Sequence, residues 1–133
     1  VNGAVALYGL LKQASGLVAL VADRIYPDIL PQPVPNGTCI TYQRLSGGSA
    51  RGALSDPPLK DDTFQVSVWG KSRTDVLLAA DEVRVALDRQ RKVTVNGVQV
   101  DDCFYRGASD SFDAEARTYF THLTFDIHYR DPK

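Results

Sequence analysis

Methionine is absent from the 133 residues, so the initiator is not among them, and tryptophan and histidine are nearly absent, with one and two copies. Imidazole-based catalysis therefore has little to draw on. Cysteine is scarce as well. Cys39 and Cys103 lie far apart and form no Cys-x-x-Cys pair or Cys/His cluster, which excludes the sequence signatures of a zinc ribbon or a disulfide framework. They read as two packed thiols, and the sequence alone does not decide whether they pair. An excess of charge of either sign is also missing. Fifteen Lys and Arg stand against sixteen Asp and Glu, for a formal charge of -1, so no net positive charge drives non-specific binding to nucleic acid. No apolar run approaches the roughly 20 residues that cross a bilayer, and the first residues lack the basic-then-apolar order of a signal peptide. These absences predict a chain made in a reducing cytoplasm, or a particle assembled there, with no membrane partner.

The remaining composition, 44% hydrophobic and 23% charged, is that of an ordinary soluble fold. One domain over residues 1–133 is expected, with a radius of gyration of roughly 14 Å. Leu7, Leu10, Leu11, Ala14, Leu17, Val18 and Val21 recur at the three-and-four spacing of one helical stripe. Ser15-Gly16 predicts a kink or a break into two short helices. From Ile25-Tyr26-Pro27 through Pro31, Pro33 and Pro35 the chain reads as an extended linker. Thr38 to Leu45 reads as a strand, and Ser46 to Asp61, with Gly47, Gly48, Gly52, Pro57 and Pro58, as a loop longer than the common limit of about 12 to 15 residues. Thr63 to Gly70 alternates as a second strand. Ser72 caps a second helix that carries Val76, Ala80, Val83 and Leu87 on its buried face and ends near Gln90.

The strongest local signal is Val93-Thr94-Val95-Asn96-Gly97-Val98-Gln99-Val100. Asn-Gly supplies the two positive φ values of a type I′ turn and puts the four valines on one face of a hairpin. Its second strand is expected to reach Tyr105 or Arg106, followed by a polar connection over Gly107 to Ala116. The last strand, from Arg117 to Tyr129, spans roughly 43 Å, longer than the globule is wide, so it bends at a bulge or projects at one end. The expected order is α-β-β-α-β-β-β: an α+β domain with a mostly antiparallel sheet and two helices packed on one face, the other face left for water or a partner.

Candidate chemistry is weak throughout. His122, Asp126 and His128 share a strand face, yet His122 lies roughly 13 Å from Asp126, too far for one ion. Gly47-Gly48-Ser49-Ala50-Arg51-Gly52 lacks the Gly-Lys-Ser/Thr ending and the following helix of a phosphate loop. Asp61-Asp62, Asp101-Asp102 and the group Asp110, Asp113, Glu115 sit at turns or strand ends, where Asp bonds local backbone. Arg89, Arg91 and Lys92 suit the negative end of a helix dipole. No nucleophile elbow precedes or follows either histidine. No catalytic, cofactor or metal residue is assigned, and the chain is expected not to be an enzyme.

Order and spacing along nearly the whole chain carry a resemblance. An N-terminal helix leads into Asp23-Arg24-Ile25-Tyr26-Pro27. Pro33 and Pro35 precede the strand Tyr42-Gln43-Arg44-Leu45-Ser46, and Phe64-Gln65-Val66-Ser67-Val68-Trp69-Gly70-Lys71-Ser72 runs into the second helix. In these features the chain resembles the tail terminator, or tail completion, proteins of long-tailed bacteriophages. The resemblance implies a structural protein of the virion that assembles as a ring, usually of six subunits, on the head-proximal end of the tail tube. Such a ring stops tube growth and offers a joining surface to the head connector. It implies the tail tube protein and neck proteins as partners, with room for DNA to pass through but no reading of its sequence, and it needs no cofactor. A closed ring uses two different patches of each subunit. The long loop, with Leu54 and Leu59 apolar and Arg51, Lys60, Asp61 and Asp62 charged, is one candidate, and the far end of the last strand, His128 and Tyr129, is the other. Another neck ring such as a head completion protein, and a monomeric module binding a ligand or peptide on its open sheet face, are the competing readings. A deep pocket holding Asp126 and His128 would revive an enzyme.

Overall fold

The computed structural model describes residues 3–28, 37–49, 59–88, 90–114 and 117–130. The elements run α1 (Gly3–Gln13), α2 (Ser15–Val21), β1 (Ile25–Pro27), β2 (Cys39–Ser49), β3 (Leu59–Gly70), α3 (Arg73–Leu87), β4 (Arg91–Val95), β5 (Val98–Asp113) and β6 (Thr118–Arg130). The strands form one sheet in the order β1-β2-β3-β6-β5-β4. The α+β class holds. Three helices replace the expected two, and the order becomes α-α-β-β-β-α-β-β-β.

Each difference has a local cause. The N-terminal stripe breaks at Ala14, whose extended backbone (φ -80°, ψ 102°) separates α1 from α2, and the two helices meet at 84°. The stripe survives because Leu7, Leu10, Leu11, Leu17 and Val21 all remain buried. Within the stretch read as a linker, Ile25 is 4% exposed and anchors β1, which pairs in parallel with residues 40–42 of β2 and makes the sheet mixed. The last bond to β2 runs from the Asp28 N–H to the Tyr42 carbonyl at 2.9 Å, and Asp28, at φ 65°, leaves the extended region; residues 29–36 lie outside the described residues.

The span Ser46 to Asp61 is not all loop. Gly47, Gly48 and Ser49 continue β2 opposite Asp62, Asp61 and Lys60, and only residues 50–58, outside the described residues, separate the two arms. A register shift between Arg44 and Ser46 puts a bulge at Leu45. Likewise residues 107–113, read as a connection, pair with β6 as far as Thr118. Strand β6 keeps an unbroken register against β3. The bulges that relieve the long pairing lie in β5, between Val100 and Asp102 and between Tyr105 and Gly107.

Other features match the sequence reading. Val93, Thr94 and Val95 pair with Val100, Gln99 and Val98 across a turn in which Asn96 and Gly97 have φ of 50° and 81°. Ser72 caps α3, accepting from the Asp75 N–H at 3.5 Å, although that helix ends at Leu87 rather than near Gln90. Helix α1 lies so close to the hairpin that a Cβ on Gly9 would come 2.2 Å from Val95 Cγ1, so only glycine fits there. Helix α1 packs on β4, β5 and β6, α3 packs on β3, β5 and β6, and α2 joins α1 to α3. All contribute to one core with Phe64, Val66, Val68, Leu123, Phe125 and Ile127. Cys39 and Cys103 are buried free thiols. No single helix among the described residues is long and apolar enough to cross a membrane.

Candidate functional site

Side chains alternate across a strand, and directly paired residues share a face. With Phe64 and Phe125 facing the helices, Thr41, Ser67, Trp69, Phe120, His122, Asp126 and His128 fall on the opposite face. That face carries two groups. At the end near the start of β6, Trp69 and Phe120 stack at 4.8 Å, Phe120 lies 4.9 Å from His122, and Trp69 meets His122 edge-on at 6.0 Å. Trp69 Nε1 donates to Thr41 Oγ1 at 2.9 Å, and Ser67 Oγ and His122 Nδ1 share a hydrogen bond of 2.6 Å. Burial in this group lowers the His122 pKa below that of a free imidazole.

The other end is charged. Asp126 accepts from Thr63 Oγ1 at 2.7 Å and from Arg106 at 3.1 Å. His128 Nδ1 bonds Asp102, while its Nε2 lies 3.7 Å from Asp61. Arg130 donates to Asp101 at 3.2 Å. Arg106–Asp126 and Arg130–Asp101 are cross-strand pairs of opposite sign, each worth up to about 1 kcal/mol where exposed. His122, Asp126 and His128 are thus engaged separately. No group of three His, Cys, Asp or Glu among the described residues is placed to hold a metal ion.

The residues expected at an interface fall into three places. Arg51 and Leu54 lie outside the described residues. Leu59 opens β3 opposite Arg130, Lys60 follows half-buried opposite Tyr129, and Asp61 faces His128. Asp62 and Tyr129 are buried, at 2% exposure each. Tyr129 donates to Asp62 Oδ2 at 2.9 Å, the Gly3 N–H donates to the same oxygen at 3.0 Å, and Arg44 stands 3.9 Å from Oδ1. Burial and the bond to Asp62 push the Tyr129 phenol up to about 12. This buried pair ties the first turn of α1 to β3 and β6.

Clefts among the described residues accompany these surfaces, including one of about 390 Å³ beside Gln65, Ser109 and His122 and two nearer the helices. The first of those two, of about 300 Å³, lies between the start of α3 and the far ends of β5 and β6, lined by Arg73, Val76, Leu77, Asp110, Phe112 and Tyr119 among others. The second, of about 540 Å³, lies at the α1–α2 break against Glu82 and Gln90 of the α3 region. None of the three contains Asp126 or His128. Sequence reading passed over the exposed apolar side chains Leu45, Phe104 and Phe112, at 50%, 40% and 47% exposure. The signal for Phe112 was available: one large aromatic ring in a run of Gly, Ala, Ser and Asp has no role in a connection.

A family model described as "Tail completion protein gp17" matches residues 5–130. No curated protein matches the chain. Among solved structures, a chain of the "Virion of native gene transfer agent (GTA) particle" is similar, with 19% identity and a TM-score of 0.72, over 97% of this chain and 99% of that one. At that identity the likeness establishes a shared fold.

Proposed function

The chain belongs to the tail completion protein gp17 family and is a structural protein of the virion tail, and on that premise we propose that it forms a ring of six subunits on the head-proximal end of the tail tube. There it ends tube growth and presents a joining surface to the head connector. The observation that carries this reading is the family match along residues 5–130. The physical character of the chain supports it: a formal charge of -1 suits a collar through which DNA passes without being read, and a ring subunit needs no catalytic residue.

In this reading the described start of β3, Leu59, Lys60 and Asp61, meets the tube or a neighbouring subunit, and Arg51 and Leu54, outside the described residues, contribute to the same contact. His128 backs the start of β3 from β6, while Asp62 and Tyr129 hold it in place from inside the fold. Sedimentation of the purified protein with and without the tail tube protein tests the ring. A ring-sized species with the tube protein is expected, and a chain that stays monomeric in both conditions overturns the proposal. Electron microscopy of tails labelled on this protein tests the location: signal at the head-proximal end is expected, and signal along the tube refutes it. Deleting residues 50–58 is expected to impair ring formation or tail joining, and unchanged assembly would remove this segment from the interface.

A further inference from the structure

The sheet has an open edge on each side. On one side β1 covers only residues 40–42 of β2, so residues 43–49 have no strand beyond them among the described residues. On the other side β4 covers β5 only as far as Asp102. The Asp88 carboxylate at the end of α3 then accepts the Tyr105 N–H at 3.2 Å. Past that point residues 107–112 pair with β6 alone among the described residues. Long open edges are a liability in a monomer, because their free N–H and C=O groups invite another strand.

We propose that these edges join copy to copy: residues 107–112 of one subunit pair antiparallel with residues 43–49 of the next, and one sheet runs continuously through the assembly. The inference rests on the ring reading and names the surface through which the ring closes.

Strand direction supports it first. The pairs β2–β3, β3–β6 and β6–β5 are all antiparallel, so β2 and β5 run in opposite senses. Rotating a copy about an axis broadly along the strands sets its β2 beside β5 of its neighbour in the antiparallel sense. This is a heterologous contact of the kind that closes rings. Chemistry supports it second. Residues 43–49 carry Arg44 and no acid, and residues 107–112 carry Asp110 and no base. Arg44 pairs with Phe64 and Asp110 with Thr121, which faces Val68, so both charges lie on the helix-bearing face. Each edge also exposes one large apolar side chain, Leu45 at 50% and Phe112 at 47%. Joining β5 to β5 antiparallel about its middle would set Asp110 beside its own copy, and joining β2 to β2 would leave Arg44 facing no acid. Only the mixed pairing is complementary.

Geometry supports it third. Ser46 pairs with Thr63, Thr63 with Asp126 and Asp126 with Phe104. The middle of the β2 edge is therefore level with Phe104, and the middle of the β5 edge lies about five residues further on, roughly 17 Å along the strands. Four strands between equivalent edges span roughly 19 Å. Matching the edges therefore tilts the strands by about 40° from the ring axis, within the 35–45° typical of closed barrels.

The test uses L45C, F112C and the double variant, each assembled with the tail tube protein and treated with a bis-maleimide spanning about 10 Å. That length covers roughly three residues of strand, so the result does not depend on one register. The native thiols are buried at 1% and 0% exposure, and the unsubstituted chain serves as the control for them. The double variant is expected to give a ladder of cross-linked multimers, an equal mixture of the two single variants is expected to stop at dimers, and each single variant alone is expected to stay uncross-linked. Cross-linked dimers from one single variant mean that an edge joins itself, and overturn the proposal. Ring-sized species by sedimentation with no ladder from the double variant overturn it while leaving the ring standing. Monomers under every condition remove the ring, and this inference with it.

Discussion

Strand β6 does two different jobs on its two faces. Towards the helices, Leu123, Phe125 and Ile127 are at most 3% exposed and sit in the common core. Full burial of one such side chain is worth about 1.5–3 kcal/mol. Away from the helices, His122, Asp126 and His128 bond Ser67, Thr63 and Asp102, and partly exposed polar pairs of this kind contribute about 1 kcal/mol or less. Stability therefore resides on the helix side. The bare face and the strand edges can carry contact chemistry at little cost to the fold, as suits a structural protein of the virion tail.

Two aromatic residues on this one strand measure the contrast. Phe125→Ala is expected to cost about 3–5 kcal/mol, because it leaves a cavity among fully buried neighbours. Phe120→Ala is expected to cost about 1 kcal/mol, the worth of an aromatic pair at a half-exposed site. Urea denaturation of both variants measures the difference, and equal losses would erase the distinction between the faces. A middle-sized effect comes from a place where polar chemistry enters the core. Tyr129→Phe removes a 2.9 Å hydrogen bond to the buried Asp62 carboxylate and is expected to cost about 1.5–3 kcal/mol, since a charged buried acceptor loses a donor. The phenol's pKa of about 12 keeps that donor protonated through the alkaline range. A neutral substitution would show that Gly3 and Arg44 hold Asp62 without it.

Much of the helix-bearing face was legible in the sequence. The spacing of Leu7, Leu10, Leu11, Leu17 and Val21, the alternation from Tyr119 to Tyr129 and the Asn96-Gly97 turn each follow a local rule, and tertiary packing agreed with all of them. What stayed hidden were segments whose pairing is set by a distant strand. Gly47, Gly48 and Ser49 have no periodicity of their own, and only their partners Asp62, Asp61 and Lys60 make them a strand. Residues 107–113 put only Ala108 and Phe112 as apolar residues on the helix-bearing face, with Asp110 between them, too weak an alternation to mark a strand. Pairing Ile25–Pro27 in parallel with β2 likewise needs a contact that no spacing encodes. The burial of Asp62 was hidden for a related reason: adjacent acids at a strand start read as solvated, and only the Tyr129 hydroxyl and the Gly3 N–H explain how one of them enters the core. The candidate surface was the least legible part, because an open edge is a property of topology rather than of composition.

The smallest expected effect tests how far the bare face is sheltered in the single subunit. Burial beside Trp69 and Phe120 lowers the His122 pKa from the 6.5 of a free imidazole. A base whose folded pKa lies below its unfolded value takes up a proton on unfolding at pH values between the two. Stability therefore rises with pH across that interval. The contribution of His122 is complete above pH 6.5 and is lost as the pH falls through 6.5 towards the folded value, where protonation would place a charge among the rings. Titrating the His122 ring resonances by NMR is expected to give a midpoint below 6.5. Trp69→Ala opens the ring to water and should return that midpoint towards 6.5, because burial is the cause of the shift. A folded-state midpoint at or above 6.5, or one that Trp69→Ala leaves in place, would mean that the bare face shelters nothing and that its aromatic group is merely three exposed rings.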